Sequence, residues 1–366
     1  MNDDAYMQCA YELALKGRGR TSPNPMVGAV IVKGGKIVGR GFHERCGGDH
    51  AEIAALKDAG AKAKGAVMYV TLEPCAHYGR TPPCVKSIID SGIAKVVIGM
   101  KDPNPLMNGK SVSILKKFGI KVEVGCMETV LARMNEVFIK YIKERVPFVT
   151  AKIAQTIDGK IATANGSSKW ITSSASRDYA RARRDEFDAI MAGANTVAKD
   201  DPGLNPSSKD KKLKKIIVDS TLRISLKAKL FLGADPSDII VATTQQASQA
   251  KVQTFIKKGV RVFIAPAKGK HRHVDLKWLM KELVKIEISS VLIEGGGRLI
   301  GRALKDGLVD RMMIYIAPKI FGDQNAVSSV AGLNVLKVDR AVGLDRITVD
   351  YLKPDFLIQG YVHRNH

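Results

Sequence analysis

The chain has 366 residues, 45% of them hydrophobic, and carries 58 Lys and Arg against 36 Asp and Glu, a formal net charge of +22. That length suggests two domains, and the apolar content is ample for packed cores. There is no run of about 18 apolar residues, so no membrane span is expected.

Helices and strands alternate in the first part. Asp4 to Lys16 reads as a helix with one apolar face, and Val27 to Val32 with Lys36 to Phe42 as a hairpin turning at Gly34-Gly35. A helix follows His50, then come a strand at Ala66 to Thr71, a helix after Thr81 and a strand at Ala94 to Gly99. A helix near Gly109 to Phe118, a strand at Lys121 to Val124 and one helix from Glu128 to Lys143 complete this part. Strands separated by helices imply a mixed sheet covered on both faces, a three-layer α/β/α sandwich. Arg145-Val146-Pro147 breaks the pattern, so the domains are expected at 1–145 and 146–366. The second has strands near Phe148 to Thr156, Ala189 to Ala192, Lys215 to Asp219, Asp238 to Thr243, Val260 to Ile264, Ser290 to Ile293 and Arg311 to Pro318. Arg346 to Lys353 and Asp355 to Val362 read as a terminal hairpin.

Two short strings carry the chemistry of the first part: His50-Ala51-Glu52, and Glu73-Pro74-Cys75 with Cys84 nine positions on. They supply one imidazole, two thiolates and a carboxylate. Three ligands suit a catalytic zinc, because the fourth position stays open for water. The same pattern is the signature of zinc nucleobase deaminases, in which the Glu is not a ligand. His50, Cys75 and Cys84 are therefore the candidate zinc ligands, and Glu52 the proton shuttle. Thiolates need positive potential. Thr81-Pro82-Pro83 reads as a helix start, with Thr81 as N-cap and Pro at the first helical position. Cys84 would then lie in the first turn, where the helix dipole favours negative charge. A structural zinc knuckle would want a fourth protein ligand, for which Cys46, His43 and His77 lie close in sequence. The complete arrangement, in this order and between strands and helices, favours the catalytic reading.

The positive charge permits a nucleic-acid reading, but aromatics are only 6% and are not interleaved with the basic residues. A tRNA or DNA base deaminase would also leave residues 148–366 unexplained. The densest basic run, Lys209 to Lys215, precedes an apolar strand and reads as a solvated loop. The N-terminus lacks a signal-peptide pattern, and the five cysteines, an odd number of which two are assigned to metal, fit a reducing cytoplasm.

The chain resembles the bifunctional riboflavin-biosynthesis family, the pyrimidine deaminase–reductases. The deaminase half shows Asn24-Pro25-x-Val27-Gly28, His50-Ala51-Glu52, Thr71-Leu72-Glu73-Pro74-Cys75, His77-x-Gly79-Arg80-Thr81-Pro82-Pro83-Cys84 and Asp102-Pro103-Asn104-Pro105. The reductase half shows Asp158-Gly159-Lys160, Ser168-x-Trp170-Ile171-Thr172, Thr196-Val197-x-x-Asp200, Asp219-Ser220 and Glu294-Gly295-Gly296. The resemblance implies a cytidine-deaminase-like first domain that uses Zn2+ to deaminate 2,5-diamino-6-(5-phosphoribosylamino)pyrimidin-4(3H)-one. It implies a second domain, similar in fold to dihydrofolate reductase, that uses NADPH to reduce the ribosyl group of 5-amino-6-(5-phosphoribosylamino)uracil to ribityl. Asn24, His77 and Asn104 would hold the pyrimidine or its phosphate arm, although Asn-Pro pairs also favour plain turns.

In the reductase half the resemblance places Ala154, Trp170, Thr196, Asp200 and Ser220 at NADPH, with Gly296, Gly297, Arg298, Leu299, Ile300, Gly301 and Arg302. It places Ser168, Arg184, Leu204 and Glu294 at the ribosyl phosphate, and makes Lys152 a candidate for handling charge or protons near the sugar. The Gly-rich turn after an apolar strand makes physical sense, since bare N–H groups at a helix start bind phosphate. It is not a dinucleotide fingerprint, because the third glycine of that motif would fall at Ile300. Arg184 can grip phosphate bidentately. The family's Arg shortly after the Asp-x-Pro-x-Leu stretch is missing here, where Asn205-Pro206-Ser207 follows Leu204. A Lys from the 209–215 run is a candidate substitute, lacking the planar fork. Asp49, beside His50, reads as a loop residue or a partner that orients His50. The expected partners are a small phosphoribosyl-pyrimidine substrate and further copies of the chain, as a dimer or tetramer, with no nucleic acid and no membrane.

Overall fold

The computed structural model describes residues 2–76, 83–105, 107–266 and 273–363. The chain divides into two compact units, Met1–Arg145 and Val146–His366.

In the first unit the elements run α1 (Asp3–Leu15), β1 (Gly28–Lys33), β2 (Lys36–Phe42), α2 (Ala51–Ala59), β3 (Val67–Leu72), α3 (Cys84–Asp90), β4 (Lys95–Met100), α4 (Lys110–Lys117), β5 (Lys121–Val124), α5 (Glu128–Met134) and α6 (Glu136–Glu144). Asn2 starts α1 by accepting a hydrogen bond from the Ala5 N–H at 3.1 Å, and Asp3 and Asp4 lie at the positive end of its dipole. Gly34 and Gly35, both at positive φ, make the two-residue hairpin between β1 and β2. The sheet order is β2-β1-β3-β4-β5, antiparallel at β2-β1-β3 and parallel from β3 to β5.

Glycines set how closely the helices approach this sheet. A Cβ on Gly28 would lie 2.0 Å from the Ala10 carbonyl oxygen of α1, and one on Gly41 would lie 2.3 Å from backbone atoms of α2. Gly28 and Gly41 sit one register step apart on paired strands, so they face opposite sides. Helices α1 and α2 therefore cover opposite faces, giving the expected three layers around Val30, Ile31, Met68 and Ile98.

The single helix expected over Glu128 to Lys143 is two helices, α5 and α6, broken at Asn135. The buried Asn135 side chain accepts from the Met26 N–H at 2.9 Å and donates to the Met26 carbonyl at 3.0 Å. Helix α3 begins at Cys84 with Pro83 at its N-cap, two residues later than expected; Thr81 and Pro82 lie outside the described residues.

The second unit runs β6 (Phe148–Thr156), β7 (Lys160–Ala162), α7 (Ser174–Arg183), β8 (Ala189–Gly193), α8 (Ala194–Asp200), β9 (Lys214–Val218), β10 (Ile239–Thr244), α9 (Gln249–Lys257), β11 (Arg261–Ala265), α10 (Leu276–Lys285), β12 (Ser290–Glu294), α11 (Gly297–Lys305), β13 (Arg311–Ala317), β14 (Val327–Ser328), β15 (Leu344–Leu352) and β16 (Asp355–Val362). Its nine-stranded sheet has the order β11-β10-β9-β8-β12-β6-β13-β16-β15, parallel through β13 and antiparallel at β16 and β15. Val149, Ala151 and Ile153 pack with α10 and α11 on one face, while Ile190, Ile217 and Val241 pack with α9 on the other. Every strand expected here is present to within two residues; β7 and β14, a short separate ribbon, were not anticipated. Among the described residues no helix is long and apolar enough to cross a membrane.

Candidate active sites

His50 is the residue preceding α2, Cys84 opens α3, and Cys75 follows β3. Their ligand atoms all lie within 4.8 Å of one another. His50 Nδ1 is 3.1 Å from Cys84 Sγ and 3.5 Å from Cys75 Sγ, and the Cys84 N–H donates to Cys75 Sγ at 3.2 Å. Zinc bonds of about 2.0 Å to nitrogen and 2.3 Å to sulfur, set tetrahedrally, hold neighbouring donors roughly 3.5–3.8 Å apart. The donor set therefore fits zinc in chemistry; the His50–Cys75 separation already matches that spacing, and the shorter His50–Cys84 separation would open by about 0.4 Å on binding. The bond from the Cys84 thiol, outweighing burial, and the bond from His50 hold Cys75 well below the usual thiol range, which favours its thiolate. That thiolate, together with burial, keeps the remaining proton on Cys84. Metal binding would release it.

Glu52 lies in the first turn of α2 and is 3% exposed. Burial, reinforced by the Cys75 thiolate, raises its carboxyl to about 7. His43, a residue not singled out from sequence as part of a catalytic site, is buried with its ring edge-on to His50 at 5.4 Å. Its Nε2 lies 3.1 Å from Asn24 Nδ2 and its Nδ1 is 2.9 Å from the Asp49 carbonyl oxygen, so Asn24 is tied to the metal site through His43. The Asp49 carboxylate turns away to Lys57 at 2.6 Å, so only its backbone reaches this network. His77 lies outside the described residues.

Glu73, two residues before Cys75, is buried and accepts from the N–H groups of Asp102, Gly109 and Ser111 at 3.1, 3.0 and 3.2 Å, and from the Ser111 hydroxyl at 2.7 Å. This carboxylate fastens the loop that carries Asn104 to the strand end that carries Cys75. Its place in the Glu-Pro-Cys string was legible, but its partners, some 30 residues on, were not.

In the second unit Glu294 ends β12 opposite Lys152 of β6. Arg184, just past α7, donates Nε to Glu294 Oε1 at 2.8 Å and Nη2 to Oε2 at 2.9 Å, and Lys152 Nζ lies 3.4 Å from Oε2. Burial alone would raise the Glu294 carboxyl, but the Lys152 and Arg184 charges prevail and hold it at about 2. The fork expected to grip phosphate is thus taken up by a buried carboxylate that needs a counter-charge. Arg184 Nη1 also donates to the Asn205 carbonyl at 2.8 Å. Of the 209–215 lysines, Lys215 reaches this loop: its buried Nζ donates to Asn205 Oδ1 at 2.7 Å and to the Leu230 carbonyl at 3.0 Å. Leu204 is buried at φ 52° among Phe187, Leu213 and Leu230.

The residues expected at the cofactor gather where parallel strands end: Ser220 after β9, Thr196 after β8, Gly296 after β12 and Ala154 on β6. Such carboxyl ends are where open α/β sheets bind ligands. The Gly296 N–H donates to Thr196 Oγ1 at 3.0 Å, joining two of these loops. Ser168 Oγ donates to Asp200 at 3.1 Å. Trp170 is 62% exposed, with the Arg177 guanidinium 4.3 Å from its ring centre. The glycine segment is not uniformly accessible. Ile300 is in the core, and Gly297 and Gly301 press against the 328–331 backbone, while Gly296, Arg298, Leu299 and Arg302 keep exposed surface.

Residues 1–100 match the family model of the cytidine and deoxycytidylate deaminase zinc-binding region, and residues 147–353 match that of the RibD C-terminal domain. The riboflavin biosynthesis protein RibD of Aquifex aeolicus is 45% identical over 97% of both chains. The chain belongs to the RibD family. The Escherichia coli RibD is 40% identical over 92% of this chain and 93% of its own. The solved RibD of Acinetobacter baumannii superposes with a TM-score of 0.89 at 37% identity over 99% of both chains. A Thermotoga maritima diaminohydroxyphosphoribosylaminopyrimidine deaminase/5-amino-6-(5-phosphoribosylamino)uracil reductase does so with a TM-score of 0.85 at 34% identity, again over 99% of both. As a RibD family member the chain is a bifunctional riboflavin-biosynthesis enzyme, a zinc-binding deaminase and an NADPH-dependent reductase.

Proposed function

We propose that residues 1–145 deaminate 2,5-diamino-6-(5-phosphoribosylamino)pyrimidin-4(3H)-one and that residues 146–366 reduce the ribosyl group of 5-amino-6-(5-phosphoribosylamino)uracil to ribityl. The observation that carries the first assignment is the convergence of His50, Cys75 and Cys84 within 4.8 Å, with the buried Glu52 two residues past His50 in the first turn of α2. Those three hold zinc, which supplies a water activated at neutral pH. Glu52 would take one proton from that water and deliver it to the pyrimidine ring nitrogen, which keeps it, and would then carry the second proton, from the newly added hydroxyl, to the departing amine, so that ammonia leaves and a carbonyl remains. Asn24, held by His43, and Asn104, on the loop fastened by Glu73, contact the pyrimidine and its phosphate arm. Glu52→Gln tests this: ammonia release should fall by about 10²–10⁴-fold with zinc still bound in equal amount. Unchanged release would overturn the role.

NADPH supplies the hydride for the second reaction. Ala154, Thr196, Ser220 and the accessible Gly296 and Arg298 line its place at the strand ends. Lys152 faces the sugar, with its ammonium fixed by Glu294, and can hand a proton to the reduced sugar oxygen. Arg184 keeps free N–H groups for single contacts to phosphate. Five cysteines, two of them assigned to zinc, support a cytoplasmic location, and the exposed apolar side chains of Val349, Tyr351 and Phe356 on the second unit support a homo-oligomer.

A further inference from the structure

One buried ammonium of the second unit has no carboxylate against it among the described residues. Lys215 lies on β9, next to the core residues Ile216 and Ile217, and is 3% exposed. Its Nζ donates to two neutral acceptors, Asn205 Oδ1 at 2.7 Å and the Leu230 carbonyl at 3.0 Å. Acids in the neighbourhood are engaged elsewhere: Asp238 pairs with Lys214 at 2.5 Å, and Glu294 with Arg184 at 2.8 Å. Burial, and then the Arg184 charge, lower the pKa of Lys215 below that of an ordinary lysine. A buried charge with neutral partners is costly to fold, and an unbranched methionine would fill the same space without that cost. Packing alone does not account for a lysine here.

The hydrogen bonds continue past Asn205. Its carbonyl accepts from Arg184 Nη1 at 2.8 Å, while Arg184 Nε and Nη2 hold Glu294, and Glu294 holds Lys152. A guanidinium has five N–H groups. Three are used, which leaves one on Nη1 and one on Nη2, and the Asn205 carbonyl decides which Nη1 proton is left. Asn205 is itself exposed, and among the described residues Lys215 is the one hydrogen-bond partner of its side chain. An ammonium competes well with water for that amide oxygen, since charge-assisted bonds are roughly twice as strong as neutral ones.

We infer that Lys215 is a positioning residue of the reductase: through Asn205 it fixes the turn after Leu204 against Arg184, and so sets which guanidinium N–H groups remain for the substrate phosphate. It acts through Asn205 and does not touch substrate. This role deepens the reductase reading and rests on it. Were Lys215 only a tie between the segments around Asn205 and Leu230, its loss would lower stability and leave substrate affinity alone.

The test is a double-mutant cycle on the full chain, read as NADPH oxidation with 5-amino-6-(5-phosphoribosylamino)uracil. Lys215→Met and Asn205→Ala should each raise the KM for that substrate about tenfold or more, with kcat within about threefold, because the grip that is lost lies away from the reacting carbon. The double variant should exceed either single one by no more than about twofold, since both break the same link. An unchanged KM in either single variant, or rises that multiply in the double one, would overturn the role. A wild type that oxidises no NADPH would overturn the reductase reading, and this role with it. If Lys215→Met fails to fold, Lys215→Gln takes its place. Its side chain is one atom shorter and cannot reach both acceptors, so the same rise is expected, and a wild-type KM would sink the role.

Discussion

Arg184 and Glu294 meet through two parallel hydrogen bonds of 2.8 and 2.9 Å, and Lys152 approaches the same carboxylate from the neighbouring strand. One negative charge thus organises two positive ones in a buried site. The folded Glu294 carboxyl lies at about 2 against an ordinary 4.5. Its contribution to stability is therefore fully present above pH ~4.5 and is lost as the pH falls toward ~2, and is worth on the order of 3 kcal/mol. Acid unfolding of the wild type should show that loss. In Glu294→Gln the second unit should start less stable at pH 7 and show a flatter decline between pH ~4.5 and ~2. An unchanged acid profile would remove Glu294 from the balance.

Arg184→Lys separates geometry from charge. Lysine keeps the charge but cannot span both carboxylate oxygens and the Asn205 carbonyl. NADPH oxidation on the deaminated substrate should fall by at least about tenfold, because one misplaced contact at a site of this kind costs that much or more. Ammonia release by the other unit should be unaffected. Measuring both activities on one preparation checks the claim.

Cys84 sits in the core at 0% exposure and opens α3. Cys84→Ser should therefore lower both bound zinc and deaminase activity to background, and lower the melting temperature of the first unit, since metal affinity is folding free energy. NADPH oxidation should persist. Metal analysis beside two-unit calorimetry reads the outcome, and zinc retained in the variant would refute the ligand assignment.

The Glu73 carboxylate accepts four hydrogen bonds from one loop. Glutamine presents one acceptor oxygen and turns an NH2 toward backbone N–H groups that also donate. Two or more donors would be stranded at about 1–3 kcal/mol each. Glu73→Gln should melt several degrees lower, with a raised KM for deamination and nearly normal zinc content. Glu73→Asp, which keeps the charge with shorter reach, should recover part of both.

What the sequence made legible followed from local spacing. The hairpin at Gly34-Gly35 and the strands of the second unit announce themselves within ten residues, and the ligand triad does so through two short strings, His50-Ala51-Glu52 and Cys75 with Cys84 nine positions on. What it hid depended on distant partners. Asn135 breaks a helix because it bonds Met26, more than a hundred residues away. Arg184 loses its phosphate-gripping fork because Glu294, also more than a hundred residues away, is buried beside it. His43 looked like a spare ligand, and only the fold shows it linking Asn24 to His50. The Ile300 position has the spacing of a cofactor contact, yet helix rotation puts it inside the core.

The same dependence on close approach makes the two sheet glycines of the first unit testable. Neither Gly28 nor Gly41 has a positive φ, so alanine meets no backbone penalty at either position. The obstacle is the helix backbone, 2.0 Å from a Cβ on Gly28 and 2.3 Å from one on Gly41. Backbone cannot swing aside as a side chain does, so α1 or α2 would have to lift from the sheet, at about 1–3 kcal/mol or more. The two variants should differ in function. Gly41→Ala displaces α2, which carries Glu52 and follows His50, so deamination and zinc affinity should fall with stability. Gly28→Ala displaces α1, which holds no candidate ligand, so the melting temperature should fall while zinc affinity, measured well below that temperature, stays close to wild type. Equal zinc loss in both would mean that the metal site senses the whole sheet and not α2 alone.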